Sequence, residues 1–227
     1  MKKLVSRANL VIVITLVSAY ASATNCFAQD KREELLRLPL KDVQMHADNT
    51  GLILSRFSNQ YEIPIGFEVA TDDDLSITRS ITIAMKDGTV QDILDSIINQ
   101  NPIYRWELRD GVINVFPQDR NRDSALKEIL ETRLEKVSLD KQTTRFMLRQ
   151  LLCENAAVMK ILNLYNVTPA NETFTSRDFG KVGRDYSFAS SNVSVATVLN
   201  DVIRNTKTKY WVIMRYGDRK QYLMLNL

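Results

Sequence analysis

Two stretches of the chain repeat one pattern of apolar residues at a constant offset of 105 positions. The first, ITIAMKDGTVQDILDSIINQNPIYRW, runs from Ile81 to Trp106, and the second, YSFASSNVSVATVLNDVIRNTKTKYW, runs from Tyr186 to Trp211. Few residues are identical, but the apolar positions coincide without a gap, and such a pattern specifies a fold. The repeat therefore predicts two copies of one small module.

The matched positions describe a strand, an amphipathic helix and an aromatic residue that enters a hairpin. Leu94 meets Leu199, and we expect each to be buried in its own module. The helical positions follow the i, i+3, i+4, i+7 spacing of a buried stripe. They are Val90, Ile93, Leu94, Ile97 and Ile98 in the first copy and Val195, Val198, Leu199, Val202 and Ile203 in the second.

The flanking sequence supplies the remaining elements of the first module. Alternation predicts a strand from Val43 to Ala47, and Asn49 is expected to cap a helix that runs to about Gln60. Ile65–Val69 is predicted as a strand. Asp110-Gly111 between two apolar runs indicates a hairpin. The chain is therefore assigned to the α+β class, as two tandem βαβ-type modules with helices packed on small sheets.

The domain boundaries follow from composition and from the repeat. Residues 1–28 are predicted to be a signal peptide and residues 29–117 the first module. Residues 118–135 are a polar linker with a short helix, and residues 136–227 are a divergent second module. A helix is predicted from about Thr143 to Leu152, although the middle of this module departs from the first copy.

The N-terminus has the order of a secretory signal: basic residues, an apolar run at Leu10–Val17, then small residues. Cleavage is expected after Ala28, with Ala23 as the alternative. The apolar run is too short to span a bilayer comfortably, so the mature chain is expected to have no membrane span. A retained membrane anchor is the competing interpretation.

Charge is balanced overall but uneven along the chain. The full chain carries a net charge of +3, and residues 1–28 hold three basic and no acidic residues, so the mature chain is neutral. The basic pI thus gives no indication of nucleic-acid binding. Residues 29–117 carry −6 and residues 118–227 carry +6. The modules either attract each other or face partners of opposite sign, unless the bias is accidental on solvated surfaces.

Several landmarks of the first module occur together in one known family. Phe57 to Val69 reads FSNQYEIPIGFEV. It is followed by the short motifs Ile81-Thr82-Ile83, Gly88-Thr89-Val90, Ile93-Leu94, Tyr104-Arg105-Trp106 and Val112-Ile113-Asn114-Val115. From Leu40 to Pro117 the chain resembles the short N-terminal domain of secretins and TonB-dependent transducers, the STN family. The second module resembles it only from about Tyr186.

The resemblance implies a setting and a class of function. It implies an STN-like α+β module in the periplasm of a Gram-negative bacterium, and a role in protein contact. STN domains usually precede a plug and barrel or further secretin domains. We expect this chain to be neither the receptor nor the pore, and to dock to a periplasmic or outer-membrane protein.

Catalytic and metal-binding patterns are weak. His46 is the only histidine, Cys153 lies in an apolar helical pattern, and Asp72–Asp74 lacks the rest of a calcium loop. Trp106 and Trp211 occupy matched positions, which favours core packing over ligand stacking. The sequence therefore predicts no enzyme activity, no metal and no cofactor.

The last strand of each module is a candidate partner-binding edge, since an open edge can accept a partner's strand. In the first module this strand includes Val112, Asn114 and Phe116; coverage by the other module is the alternative.

The leading hypothesis is a non-catalytic, periplasmic protein-interaction protein that docks to a transducer, an anti-sigma regulator or a secretin. The alternatives are a ligand-binding module that uses the groove between the modules, and an enzyme or regulatory subunit with an unrecognised site.

Overall fold

The computed structural model describes residues 33–70, 79–140, 150–170, 186–217 and 221–226. The predicted signal peptide with its cleavage site at Ala28, the loop Asp72–Asp74 and most of the helix predicted from Thr143 lie outside the described residues. Helices and small sheets alternate along the described chain, which confirms the α+β class.

The first module alternates strands and helices in the predicted order. Asn49 caps the first helix by accepting a hydrogen bond from the Leu52 amide. Asp110 and Gly111 both have positive φ, as a tight hairpin turn requires. The elements are β1 (Pro39–Ala47), α1 (Thr50–Tyr61), β2 (Ile65–Glu68), β3 (Ile81–Thr89), α2 (Val90–Gln100), β4 (Tyr104–Arg109) and β5 (Val112–Pro117).

The second module repeats this order with additions. A 3₁₀ turn at Arg120–Asp123 leads into it, and its first helical region divides at Asn155, which caps a new helix instead of continuing the previous one. Gln150–Glu154 forms a π-helical turn. The elements are α3 (Ser124–Glu131), β6 (Arg133–Leu134), β7 (Val137–Asp140), α4 (Ala156–Leu164), β8 (Val167–Pro169), β9 (Ser187–Ser190), β10 (Val193–Ser194), α5 (Val195–Asn205), β11 (Tyr210–Tyr216) and β12 (Gln221–Asn226).

The structure confirms the alignment of the repeat. Helices α2 and α5 begin 105 positions apart, and their N-caps, Thr89 and Ser194, also match. Leu94 and Leu199 are both fully buried, as predicted. The second helix of each module therefore begins with a hydroxyl-bearing N-cap residue and packs an apolar stripe against the core of its own module.

Both modules contribute to one six-stranded sheet, in the order β4-β5-β2-β11-β12-β8. Within each module the middle strand runs antiparallel to its hairpin partner and parallel to the third strand, and β2 runs parallel to β11 across the boundary. A half-turn about an axis that lies in the sheet, perpendicular to the strands, combined with a shift of three strands, therefore relates the second module to the first.

The helices of the two modules lie on opposite faces of this sheet. Residues that pair across neighbouring strands point to the same face. Ile65 pairs with Tyr210 and faces the first core, whereas Gly66 pairs with Trp211, which faces the second core beside α5. Each module thus contributes helices to one face only, and the two-stranded sheets β1–β3 and β7–β9 belong to separate modules.

The buried apolar residues form two clusters, one for each module. The segment 118–135, predicted as a linker with a short helix, is more than a connector. Helix α3 buries Ala125, Leu126, Ile129 and Leu130 in the second core. In the described part of the chain, no helix is long and apolar enough to cross a membrane.

Candidate interaction site at the edge of the sheet

The boundary between the modules is a strand-to-strand contact. The Ile65 amide donates to the Lys209 carbonyl at 2.8 Å, and the Val69 amide donates to the Ile213 carbonyl at 3.0 Å. The Ser58 hydroxyl also donates to the Lys209 carbonyl, at 2.7 Å. Strand β11 of the second module therefore accepts β2 of the first module as its neighbour through main-chain hydrogen bonds.

A tryptophan ring fixes which residue can occupy the strand beside β11. Trp211 is 2 % exposed, and its indole N–H donates to Oδ1 of Asn200 at 2.9 Å. The ring lies directly over Gly66. A Cβ atom at that glycine would lie 2.2 Å from the Trp211 Cε2 atom, a distance that real contacts do not reach. Gly66 is thus required by the close approach of this ring.

The repeat places the same pair of side chains in the first module. Trp106 and Asp95 lie 105 positions before Trp211 and Asn200, and the Trp106 indole N–H donates to Oδ1 of Asp95, again at 2.9 Å. Helix, strand and hydrogen bond therefore all match, and each ring is tied to the second helix of its own module. Trp106, however, is partly exposed, and Asp95 is exposed.

Trp106 lies on β4, which is a terminal strand of the six-stranded sheet. The Gln118 amide donates to the Ile103 carbonyl at 2.8 Å, so the backbone groups of odd-numbered residues on this strand face β5. Because main-chain groups alternate along an antiparallel strand, those of Trp106 and Leu108 face away from β5. Among the described strands, none pairs with that side of β4.

The prediction that Val112, Asn114 and Phe116 form an edge strand is wrong. They lie on β5, which pairs with β4 on one side and β2 on the other, and all three are buried. The hairpin returns inward after Arg109, so the last strand of the module becomes its middle strand. The open edge is the strand before the hairpin turn, and the signal for it was present in the repeat, at Trp106.

The opposite edge of the sheet, β8, is of a different kind. The Ala170 amide donates to the Leu223 carbonyl at 2.8 Å, so the main chain of Ala170 faces β12. By alternation, the nitrogen of Pro169 faces the open side, where proline offers no N–H donor. One edge of the sheet is therefore protected by a proline, and the other carries the partly exposed Trp106.

A groove of about 270 Å³ lies at the boundary, on the face covered by the helices of the first module. Leu52 is 45 % exposed at its rim. Its apolar lining comes from both modules: Phe67, Val69, Tyr104, Tyr210, Val212 and Met214. The Tyr210 hydroxyl donates to the Gly51 carbonyl at 3.3 Å, and burial raises the pKa of Tyr210 above its ordinary range.

A buried carboxyl group lies on the other face of the boundary. Glu68 is 2 % exposed, and its Oε2 atom accepts from Arg120 at 2.8 Å. Burial raises the pKa of Glu68, and the Arg120 guanidinium opposes this in part. Nearby, Asp123 accepts from Arg215 at 2.9 Å. These pairs tie β2, the 3₁₀ turn and β11 together.

The other sequence candidates lie apart from one another. His46 is exposed, with its Nδ1 atom 2.9 Å from the Thr82 hydroxyl, and Cys153 is partly buried against the second core. In the described ranges, no group of three or more His, Cys, Asp or Glu side chains could hold a metal ion. Trp211 packs in the core as predicted, whereas Trp106 does so only in part.

No protein-family model matches the chain, and no curated protein matches it.

Proposed function

We propose that this chain is a non-catalytic, periplasmic protein-interaction protein that docks to an envelope assembly through the open edge of β4. The observation that carries the proposal is the repeated tryptophan arrangement. On β11 the arrangement is occupied by a neighbouring strand, and on β4 the same arrangement stands at the edge of the sheet. Strand addition to an exposed edge is a common mode of peptide recognition.

The proposed docking mode needs no bound cofactor. Main-chain hydrogen bonds supply affinity, and side chains on the edge strand supply selectivity. The periplasmic setting rests on the signal-like N-terminus and on the resemblance to STN domains. We expect the N-terminal sequence of the exported protein to begin at Gln29, or at Thr24 if cleavage follows Ala23; an intact Met1 would contradict export with cleavage.

Site-specific photocrosslinking in the native host tests the docking site. A benzophenone amino acid replaces Arg105, which is exposed on β4, and in a matched control it replaces Lys160, which is exposed on α4. We expect Arg105 to give a discrete crosslink to one envelope protein and Lys160 to give none. Equal crosslinking at both positions, or none at Arg105, would contradict docking at this edge.

The groove at the boundary supports a second candidate, a ligand-binding module. Its apolar lining suits an aliphatic or aromatic group, but its volume of about 270 Å³ lies at the small end of ligand sites. Met214→Trp would fill the groove without substituting any residue of β4. If this substitution abolished the biological role and the crosslink at Arg105 persisted, the groove would be the functional site.

A further inference from the structure

We propose that the open edge of β4 binds an extended segment of another protein that runs parallel to β4 and places a glycine opposite Trp106. This inference deepens the proposed function and rests on it. It assigns direction, register and one required residue to the partner.

The contact between β2 and β11 is the template for direction and register. There the incoming strand runs parallel to its acceptor, and Gly66 pairs with Trp211. Strands β4 and β11 are equivalent in the repeat, so a strand beside β4 in the same register would pair its glycine with Trp106. The outward main-chain groups of Trp106 and Leu108 would make the hydrogen bonds.

The glycine requirement follows from the ring itself. Trp106 is held by Asp95 as Trp211 is held by Asn200, so its ring overhangs the position that a partner strand would occupy. In the template, a Cβ atom beneath the ring would approach it to 2.2 Å. Any residue other than glycine would have to displace Trp106 and break its hydrogen bond to Asp95.

Side chains that flank Trp106 indicate the chemistry of neighbouring positions in the partner. The residue before the glycine would lie beside Arg105, and the residue after it beside Glu107, which is paired with Arg109 at 2.6 Å. The next residue would lie beside Leu108 on the tryptophan face. Opposite charges on neighbouring strands attract each other, so an acidic residue beside Arg105 is favoured. The preferred segment is therefore acidic residue, glycine, polar residue, apolar residue.

The edge strands of a second copy of this chain do not fit this description. The opposite edge, β8, has the sequence Val-Thr-Pro, which contains no glycine and has Pro169 facing outward. Strand β4 itself, Tyr-Arg-Trp-Glu-Leu-Arg, also contains no glycine, so a second β4 edge would not meet the glycine requirement. Neither edge strand of a second copy therefore meets the glycine requirement, and the proposed occupant is a segment of a different protein.

Peptide titration followed by NMR tests the inference on the full mature chain. The probe is the synthetic peptide SVTEGTVTS, and the control is SVTEVTVTS, in which valine replaces the glycine. We expect the first peptide to shift the Trp106 indole signal and the amides of Trp106 and Leu108, and to bind at least about tenfold more tightly than the second, equivalent to about 1.4 kcal/mol. A spin label at the peptide's N-terminus should broaden Tyr104 more than Arg109.

A change at the ring separates the glycine rule from simple edge binding. In Trp106→Ala the overhang is gone, so the two peptides should bind with equal affinity. Asp95→Ala, which releases the ring, should reduce the preference in a chain that keeps its tryptophan. Equal binding of both peptides to the unmodified protein, or no binding of either, would overturn the inference. The Arg105 crosslink tests edge docking independently of both peptides.

Discussion

The two tryptophans of the repeat have the same local geometry and different surroundings. Trp211 is buried because the first module places β2 against β11, and its hydrogen-bond acceptor is the neutral side chain of Asn200. Trp106 stands at the edge of the sheet, and its acceptor is the exposed carboxylate of Asp95. Burial disfavours an isolated charge, so an amide suits the buried copy and a carboxylate suits the open copy.

The difference shows how one module can fill two roles. In the second module, the acceptor strand β11 pairs with β2 of the same chain, and this pairing stabilises the fold. In the first module the same acceptor site lies at the edge of the sheet, where we propose that an incoming strand binds. The half-turn that relates the modules leaves one such site at the surface, because β11 is covered by β2 and β4 has no neighbour on its outer side among the described strands.

The largest contrast is expected when each ring is removed. Trp211→Ala should lower the free energy of unfolding by about 3–5 kcal/mol, because it leaves a cavity beside Gly66 in a fully packed region. Trp106→Ala should lower it by about 1 kcal/mol, as for an average substitution. Urea denaturation measures both values, and equal losses would show that the two rings play the same structural role.

The alignment of the helices can be tested by a pair that should not differ. Leu94→Ala and Leu199→Ala each remove a fully buried side chain from the matched position of α2 and α5. Each should cost about 2–5 kcal/mol of unfolding free energy through lost burial and a residual cavity. A loss within about 0.5 kcal/mol of zero at either position, as at exposed sites, would break the equivalence of the modules.

The repeat made the core predictable, and local signals made the turns predictable. The offset between Leu94 and Leu199 located both second helices, and the Asp110-Gly111 pair located the hairpin. The open edge was not predicted correctly, because sequence order does not give strand order: β5 is the last strand of its module but lies in the middle of the sheet. Nor could local pattern reveal that β2 would pair with β11 across the boundary, since this contact joins distant residues.

Exchanging the side chains that accept the hydrogen bonds of the two tryptophans, Asn200 and Asp95, tests whether burial decides which acceptor each position carries. Asn200→Asp would place a carboxyl group in a fully buried position, and we expect a loss of about 1–3 kcal/mol or more. Asp95→Asn keeps an acceptor for Trp106 at an exposed position and should change stability by less than about 0.5 kcal/mol. Similar effects at both sites would mean that burial does not decide the choice of residue.

The pH dependence of folding stability tests the role of buried Glu68 at the boundary between the modules. Burial raises the pKa of Glu68 above 4.5, so the folded state favours the protonated carboxyl group. The contribution of Glu68 to stability is thus most favourable below pH 4.5 and declines as the pH rises through the raised pKa. Glu68→Gln cannot titrate at this position. The free energy of unfolding of this variant, minus that of the wild type, should therefore increase as the pH rises from acid to neutral. Glu62→Gln, at an exposed site, is the control with the same change in charge; a parallel trend there would remove the assignment to burial.

The smallest effect is expected from a change in salt concentration, which tests whether charge attraction or packing joins the modules. Residues 29–117 carry −6 and residues 118–227 carry +6, so attraction between them would be screened as the Debye length falls from about 10 Å at 0.1 M to about 3 Å at 1 M. The shared sheet and the Trp211 ring over Gly66 are not screened by salt, because they depend on main-chain hydrogen bonds and on apolar packing. The radius of gyration from X-ray scattering should therefore stay constant across this range.

Gly66→Val provides the matched comparison: its side chain collides with Trp211, so the boundary should loosen and the radius should increase at either salt concentration. A wild-type radius that increased with salt while secondary structure stayed constant would mean that ion pairs hold the modules together, and the two tryptophan sites would then differ less than their burial suggests.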